Sequence, residues 1–266
     1  MQATPSNPFV GLRPYESNES LLFFGRQQQT TDLLQRLHLY NFVAVTGGSG
    51  SGKSSIVRAG LIPMLKAGYL VNDRDHWLVC IMKPGTNPLY NFVAELLNQA
   101  PQLQAEYTPV LLQQKIQLEG INAVVEVLQL VFDANNNVLI VVDQFEEIFR
   151  FALNLSDLDA KDEAIEFVSL LLLLAQKKEL PVYITLTMRS DFIGDCTQIP
   201  GLPEALNNSQ YLVPRLTRLQ VKTVIEAPIR LYRGQIEPAL TTRLLNDVEL
   251  TPDELPLLQH VLMRMC

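Results

Sequence analysis

The chain of 266 residues is 47% hydrophobic and 18% charged, a composition that builds a sizeable core and excludes disorder along its length. Lysines and arginines number 21 against 28 aspartates and glutamates, and the net charge of -7 excludes non-specific coating of nucleic acid. At about 150 residues per domain, the length implies one large domain, or one with a small appendage.

In chain order, the start from Met1 to Pro5 has neither a basic nor an apolar stretch of the secretory kind, so the cytoplasm is the expected compartment. A helix is expected at 27–39, where Leu33, Leu34 and Leu37 share one face, with Tyr40 as its next position. Phe42 to Val45 reads as a buried strand, and it runs into Gly47-Gly48-Ser49-Gly50-Ser51-Gly52-Lys53-Ser54, a full match to G-x-x-x-x-G-K-[ST]. Four of the 13 glycines fall within six positions of this stretch. Glycines there let successive N–H groups turn inward as an anion nest, and the helix expected at 53–67 adds the positive end of its dipole. Lys53 is then suited to the β- and γ-phosphates of a nucleotide and the Ser54 hydroxyl to Mg²⁺, with Ser55 completing the nucleotide-binding set.

Leu78 to Met82 is a second strand, followed by helices at 87–99 and 121–132 and a loop at Asn135-Asn136-Asn137. Val138 to Val142 is apolar throughout and ends in Asp143, the Walker B form, which assigns Asp143 to the metal. Downstream, Glu146 and Glu147 are both candidates to polarise an attacking water, and both also suit the first turn of a helix at about 145–153. A helix at 160–178 leads to the strand Val182 to Met188. Arg189 ends that strand, placed to sense a γ-phosphate if the strand lies between those bearing the loop and Asp143; the alternative is a surface arginine paired with Asp191 or Asp195.

Pro200 to Pro203 reads as a loop, and after the short run Tyr211 to Val213 the pattern turns helical, at 216–226, 238–247 and 256–266, with a break at Pro228. Alternating strands and helices imply a three-layer α/β fold with a parallel sheet over 1–213 and a small all-helical lid over 214–266. The chain ends inside an amphipathic helix, which points to a fragment of something longer. The longest apolar run, Leu170 to Ala175, falls far short of the roughly 20 residues of a membrane span. Cys80, Cys196 and Cys266 form no C-x-x-C pair, and His38, His76 and His260 stand apart, so neither a disulfide framework nor a zinc site is expected.

Taken with the phosphate loop, four segments make the chain resemble the STAND class of P-loop proteins, in its prokaryotic novel STAND branch. They are Asn7 to Tyr15 with Phe23-Phe24-Gly25-Arg26, the loop running on to Arg58 to Pro63, Asp143-Gln144-Phe145-Glu146-Glu147, and Leu255-Pro256-Leu257-Leu258. The resemblance implies that residues 1–40 flank the adenine through Phe24, Gly25 and Arg26. It also implies that Pro256 touches the nucleotide from the lid, and that the ATP form self-associates. A winged helix and WD-type or other repeats would then follow the chain. Gln144 stands where many relatives carry a second carboxylate, and Gln27 where a glutamate often follows Gly-Arg. An amide is no base at neutral pH, which leaves hydrolysis dependent on Glu146 or Glu147, or very slow, and a slow rate suits a switch. The expectation is an ATP/Mg²⁺ switch ATPase. Its rivals are a small-molecule phosphotransferase, a DNA-remodelling ATPase and a nucleotide-stabilised scaffold that never turns over.

Overall fold

Runs of β-branched and aromatic residues gain most where both faces of a strand are covered, and here they form a five-stranded sheet. In the computed structural model, which describes residues 7–69, 74, 76–131, 136–152, 158–249 and 255–265, the strands are β1 (Phe42–Gly47), β2 (His76–Met82), β3 (Asn136–Val142), β4 (Val182–Arg189) and β5 (Gln210–Leu212). Their order is β2-β3-β4-β1-β5, with β1–β5, β2–β3 and β3–β4 running parallel. The strand after which the glycine-rich loop begins is therefore separated from the strand that leads to Asp143 by β4 alone.

The helices are α1 (Gln27–Tyr40), α2 (Lys53–Ser55), α3 (Ile62–Lys66), α4 (Pro88–Gln99), α5 (Pro109–Glu119), α6 (Ile121–Val131), α7 (Leu158–Gln176), α8 (Leu202–Ser209), α9 (Arg218–Leu231), α10 (Pro238–Glu249) and α11 (Leu255–Met265). A π-helical segment (Ile56–Leu61) joins α2 to α3, and another (Ile148–Ala152) follows β3. Among the described residues, no helix is long and apolar enough to cross a membrane.

Four expectations give way. Asn136 and Asn137 belong to β3 rather than a loop, because the carbonyl of Asn136 accepts from the Arg74 guanidinium and the Asn137 amide donates to the Arg74 carbonyl. Pro228 does not break α9: it lies in the last helical turn, where its missing N–H removes one bond of the ladder, and it is buried. Of the proline-rich stretch 200–203, Gly201 takes φ +81° as the N-cap of α8 and Pro203 sits in the first turn, where proline is at home. Leu33, Leu34 and Leu37 are buried, but Tyr40, the last residue of α1, is exposed.

The chain divides into two compact units. One spans Leu33–Thr46 and Gly68–Leu212 and carries the sheet. Its core packs strand residues such as Cys80, Ile140 and Ile184 against Phe92, Val127, Phe145 and Phe167. The other is assembled from three stretches, Met1–Asp32, Gly47–Ala67 and Val213–Cys266, and an apolar cluster within it joins Phe9 to Val221, Ile225, Leu245, Leu258 and Leu262.

Phe92 is fully buried, 6.1 Å centroid to centroid from Phe167. Phe92→Ala is expected to lower stability by about 3–5 kcal/mol, read as a shift of the urea midpoint at unchanged slope.

Candidate functional site

A chain leaving a buried strand for a helix within six residues needs backbone angles that most side chains resist. Gly50 and Gly52 supply them, at φ +69° and +89°. Gly52 is the left-handed N-cap of α2, with no side chain satisfying the helix start, so the first N–H groups of the helix lie beyond the reach of its own ladder. At Gly47, a Cβ would meet Ser51 Oγ at 2.9 Å. The Lys53 ammonium folds back over the loop, donating to the carbonyls of Gly47 (3.1 Å) and Gly48 (2.6 Å). Main-chain donors, a helix N-terminus and a lysine on one short loop fit a polyphosphate.

The same unit explains the N-terminal motif. Asn7 donates to the Met263 carbonyl in α11 and accepts from the Phe9 N–H, while Phe9 is buried among α9, α10 and α11. Tyr15 then makes two bonds of different reach. Its main-chain N–H donates to Ser55 Oγ (3.2 Å), two residues past Lys53, and its phenol donates to Gln259 Oε1 (2.8 Å), three residues past Pro256. Burial pushes the Tyr15 phenol far above its ordinary pKa, so the donor proton stays in place. Arg26, only 3% exposed, donates to the carbonyls of Pro214 (2.7 Å) and Ser51 (2.9 Å), bracing the loop against the segment that leads to α9. Gly25 takes φ +80°, and a Cβ there would lie 2.8 Å from Val224 Cγ2. Phe24 and Pro256 are both half-buried.

In the sheet-bearing unit, Asp143 follows β3 and is 2% exposed. Its N–H donates to the Met82 carbonyl of β2, and its Oδ1 accepts from the Thr187 hydroxyl of β4 at 2.6 Å. A hard carboxylate at a strand tip fits Mg²⁺, which uses one or two protein oxygens together with phosphates and water. Gln144 has φ +58° and an exposed side chain, and its N–H donates to Thr187 Oγ1 at 3.0 Å. This turn separates the two glutamates. Glu146 is buried and its carboxylate accepts from the Arg189 N–H (3.3 Å), whereas the half-buried Glu147 accepts from the Gly85 N–H (3.1 Å) in the loop after β2. The Arg189 guanidinium pairs with Asp191 and lies over the Phe192 ring.

The structure thus groups the glycine-rich loop, Ser54, Ser55, Phe24, Gly25, Arg26 and Pro256 in one unit, and Asp143, Glu146, Glu147 and Arg189 in the other. Thr187 and Tyr15 were not singled out as site residues. A threonine in a strand with both faces covered is a signal for the first, since a buried hydroxyl needs a partner. Burial pushes the Cys80 and Cys196 thiols up, the latter to about 12, so neither is a ready thiolate; Cys266 lies outside the described residues.

The sequence pattern of the family described as Novel STAND NTPase 1 matches residues 8–266. No curated protein matches the chain. Among solved structures, a Walker-type ATPase of Pyrococcus abyssi is similar at 14% identity and a TM-score of 0.52, over 93% of this chain and 68% of that one. The ORC1 protein of Aeropyrum pernix in complex with DNA gives 12% and 0.59, over 92% and 62%. The ORC2 protein of the same organism in its ADP form gives 13% and 0.51, over 77% and 51%. At these identities the likeness is one of fold, a P-loop NTPase sheet, and this chain spans little more than half to two thirds of each neighbour.

Arg26→Lys keeps the charge but not the two-pronged geometry. Leaving either the Ser51 or the Pro214 carbonyl unpaired is expected to cost about 1–3 kcal/mol in urea unfolding, with Arg26→Ala costing more.

Proposed function

The chain belongs to the Novel STAND NTPase 1 family, and we propose that within it the protein is an ATP- and Mg²⁺-dependent switch whose nucleotide state is read out by α9–α11. The observation that carries the switch is the pair of hydrogen bonds donated by Tyr15. One residue holds the second turn-forming serine of the phosphate-loop helix through its main chain and the α11 glutamine through its side chain. A displacement at Ser55 on phosphate binding reaches Gln259 through a single buried side chain, and Pro256 lies on the same helix. Differential contacts of ATP and ADP at the loop then bias the lid between two arrangements.

The roles follow from chemistry. The loop N–H groups from Gly47 to Ser54 and the Lys53 ammonium bind phosphate oxygens, with Lys53 exchanging its bonds to the neutral carbonyls of Gly47 and Gly48 for bonds to charged oxygens. Mg²⁺, when bound, neutralises charge on the β- and γ-phosphates. Ser54 and Asp143 are the residues that would each offer it an oxygen ligand. Glu146, rather than Glu147, orients the attacking water, because its N–H partner Arg189 ends β4, the strand between β3 and β1, whereas Glu147 turns to the loop after β2 on the other side of β3. Arg189 senses the γ-phosphate by leaving Asp191, an exposed partner that holds it weakly. Adenine selection falls to the segment of Phe24 and Gly25, with Arg26 as its brace. Self-association in the ATP form is part of the same proposal.

A second reading, a scaffold that binds nucleotide without turnover, is favoured by two features: Gln144 is neutral, and the Glu146 carboxylate is already engaged by the Arg189 N–H. A DNA-remodelling role finds little support in a net charge of -7.

Single-turnover hydrolysis of radiolabelled ATP separates the two readings. Wild type is expected to hydrolyse slowly, Glu146→Gln to be at least about 10²-fold slower, Glu147→Gln to stay near wild type, and Lys53→Ala to lose binding. Indistinguishable rates in wild type, Lys53→Ala and Glu146→Gln would rule out turnover at this site. In hydrogen exchange, ATP is expected to change protection in α11 of wild type but not of Tyr15→Phe; a Tyr15→Phe protein that responds fully would remove the proposed route to the lid.

A further inference from the structure

Thr187 is fully buried and stands on β4, the strand next to the one that ends at Asp143. The register sets Val142 opposite Leu186, so that Asp143 and Thr187 come next to each other as β3 ends. Three bonds gather on this one residue. Its hydroxyl donates its single proton to Asp143 Oδ1 (2.6 Å), the same oxygen accepts from the Gln144 N–H (3.0 Å), and the Thr187 carbonyl accepts from the Phe145 N–H (2.8 Å).

We infer that Thr187 is a positioning residue for the metal acid. Its hydroxyl fixes the rotation of the Asp143 carboxylate and, through Gln144, the left-handed turn that carries the chain toward Glu146. The direction of each bond supports this. A carboxylate only accepts, so the hydroxyl proton is committed to Asp143, and the remaining lone pairs face the Gln144 N–H. The Gln144 φ of +58° is one that a residue with a side chain rarely takes without support. The turn in turn aims Glu146 at the N–H of Arg189, two residues beyond Thr187 on the same strand. One hydroxyl therefore sets both the acid assigned to Mg²⁺ and the path to the glutamate assigned to the water. The inference rests on the proposed Mg²⁺ role of Asp143. Such supporting bonds around a metal ligand are commonly worth 10–100-fold in metal affinity.

The test is calorimetric titration of the non-hydrolysable analogue AMPPNP into the whole chain, in EDTA and over a range of Mg²⁺ concentrations. Thr187→Val keeps the shape and strand preference of threonine and removes the hydroxyl. It is expected to need about 10-fold more Mg²⁺ for the half-maximal gain in analogue affinity, with binding in EDTA unchanged, while Thr187→Ser restores the wild-type Mg²⁺ dependence. If Thr187→Val does not fold, Thr187→Cys, a weak donor of similar size, is read in its place and is expected to fall between valine and wild type. A Thr187→Val or Thr187→Cys protein with the wild-type Mg²⁺ dependence overturns the inference alone. So does a Thr187→Ser protein as impaired as Thr187→Val, which would make the effect one of packing. Wild type that binds no analogue, or binds it independently of Mg²⁺, overturns the proposed function together with the inference.

Discussion

The constraint on which the candidate site depends is the reversal of backbone direction after β1. Two glycines in the left-handed region and an uncapped helix start turn main-chain donors toward one small volume, and no combination of larger residues reaches that geometry cheaply. What surrounds the turn serves to keep it. Arg26 holds the Ser51 carbonyl, and Lys53 holds those of Gly47 and Gly48. Beyond Ser55 the ladder loosens into a π-helical segment, where Gly60 lies so close to Thr30 that a Cβ would come within 2.6 Å of its hydroxyl. π-helical turns gather at functional sites, and the second one here follows the turn that bears Glu146 and Glu147.

In the sheet, β4 does more than fill the space between β3 and β1. Alternate residues of a strand point to opposite faces, so Thr187 and Arg189 share one side, and the first two N–H groups beyond Asp143 both reach back to Thr187. The order β2-β3-β4-β1-β5 thus serves the site as well as the packing: without β4 beside β3, the Asp143 carboxylate would lose the Thr187 hydroxyl and the turn after it two of its backbone bonds.

The strands and most helices were legible because their residues repeat with the periods that burial imposes. Helix α5 was not: Leu112 and Ile116 face the core, but Val110, Leu111 and Leu118 are exposed, so its apolar residues form no stripe. Its start was written only in Thr108-Pro109, where the threonine accepts from the Leu111 N–H. The Asn136 and Asn137 pairing with Arg74 was equally hidden, since it links residues about sixty positions apart. At the site, sequence located the loop, the strand-end acid and two adjacent glutamates. Composition held nothing to separate Glu146 from Glu147, because the distinction lies in which backbone N–H each carboxylate finds. The Asn7 to Tyr15 motif stood out as a pattern, but its partners Met263 and Gln259 lie nearly the whole chain away.

That separation bears on the order in which the molecule can be made. Asn7 and Met263 are 256 positions apart and Tyr15 and Gln259 are 244, so the phosphate loop belongs to a unit whose closing partners leave the ribosome long after the loop itself. The sheet, with most of its pairings nearer in sequence, can collapse during synthesis, while the unit holding Lys53 must wait for α11. Nascent chains would therefore pass through a stage with a formed sheet and an unfinished phosphate loop, and competence to hold nucleotide would arrive only with α11.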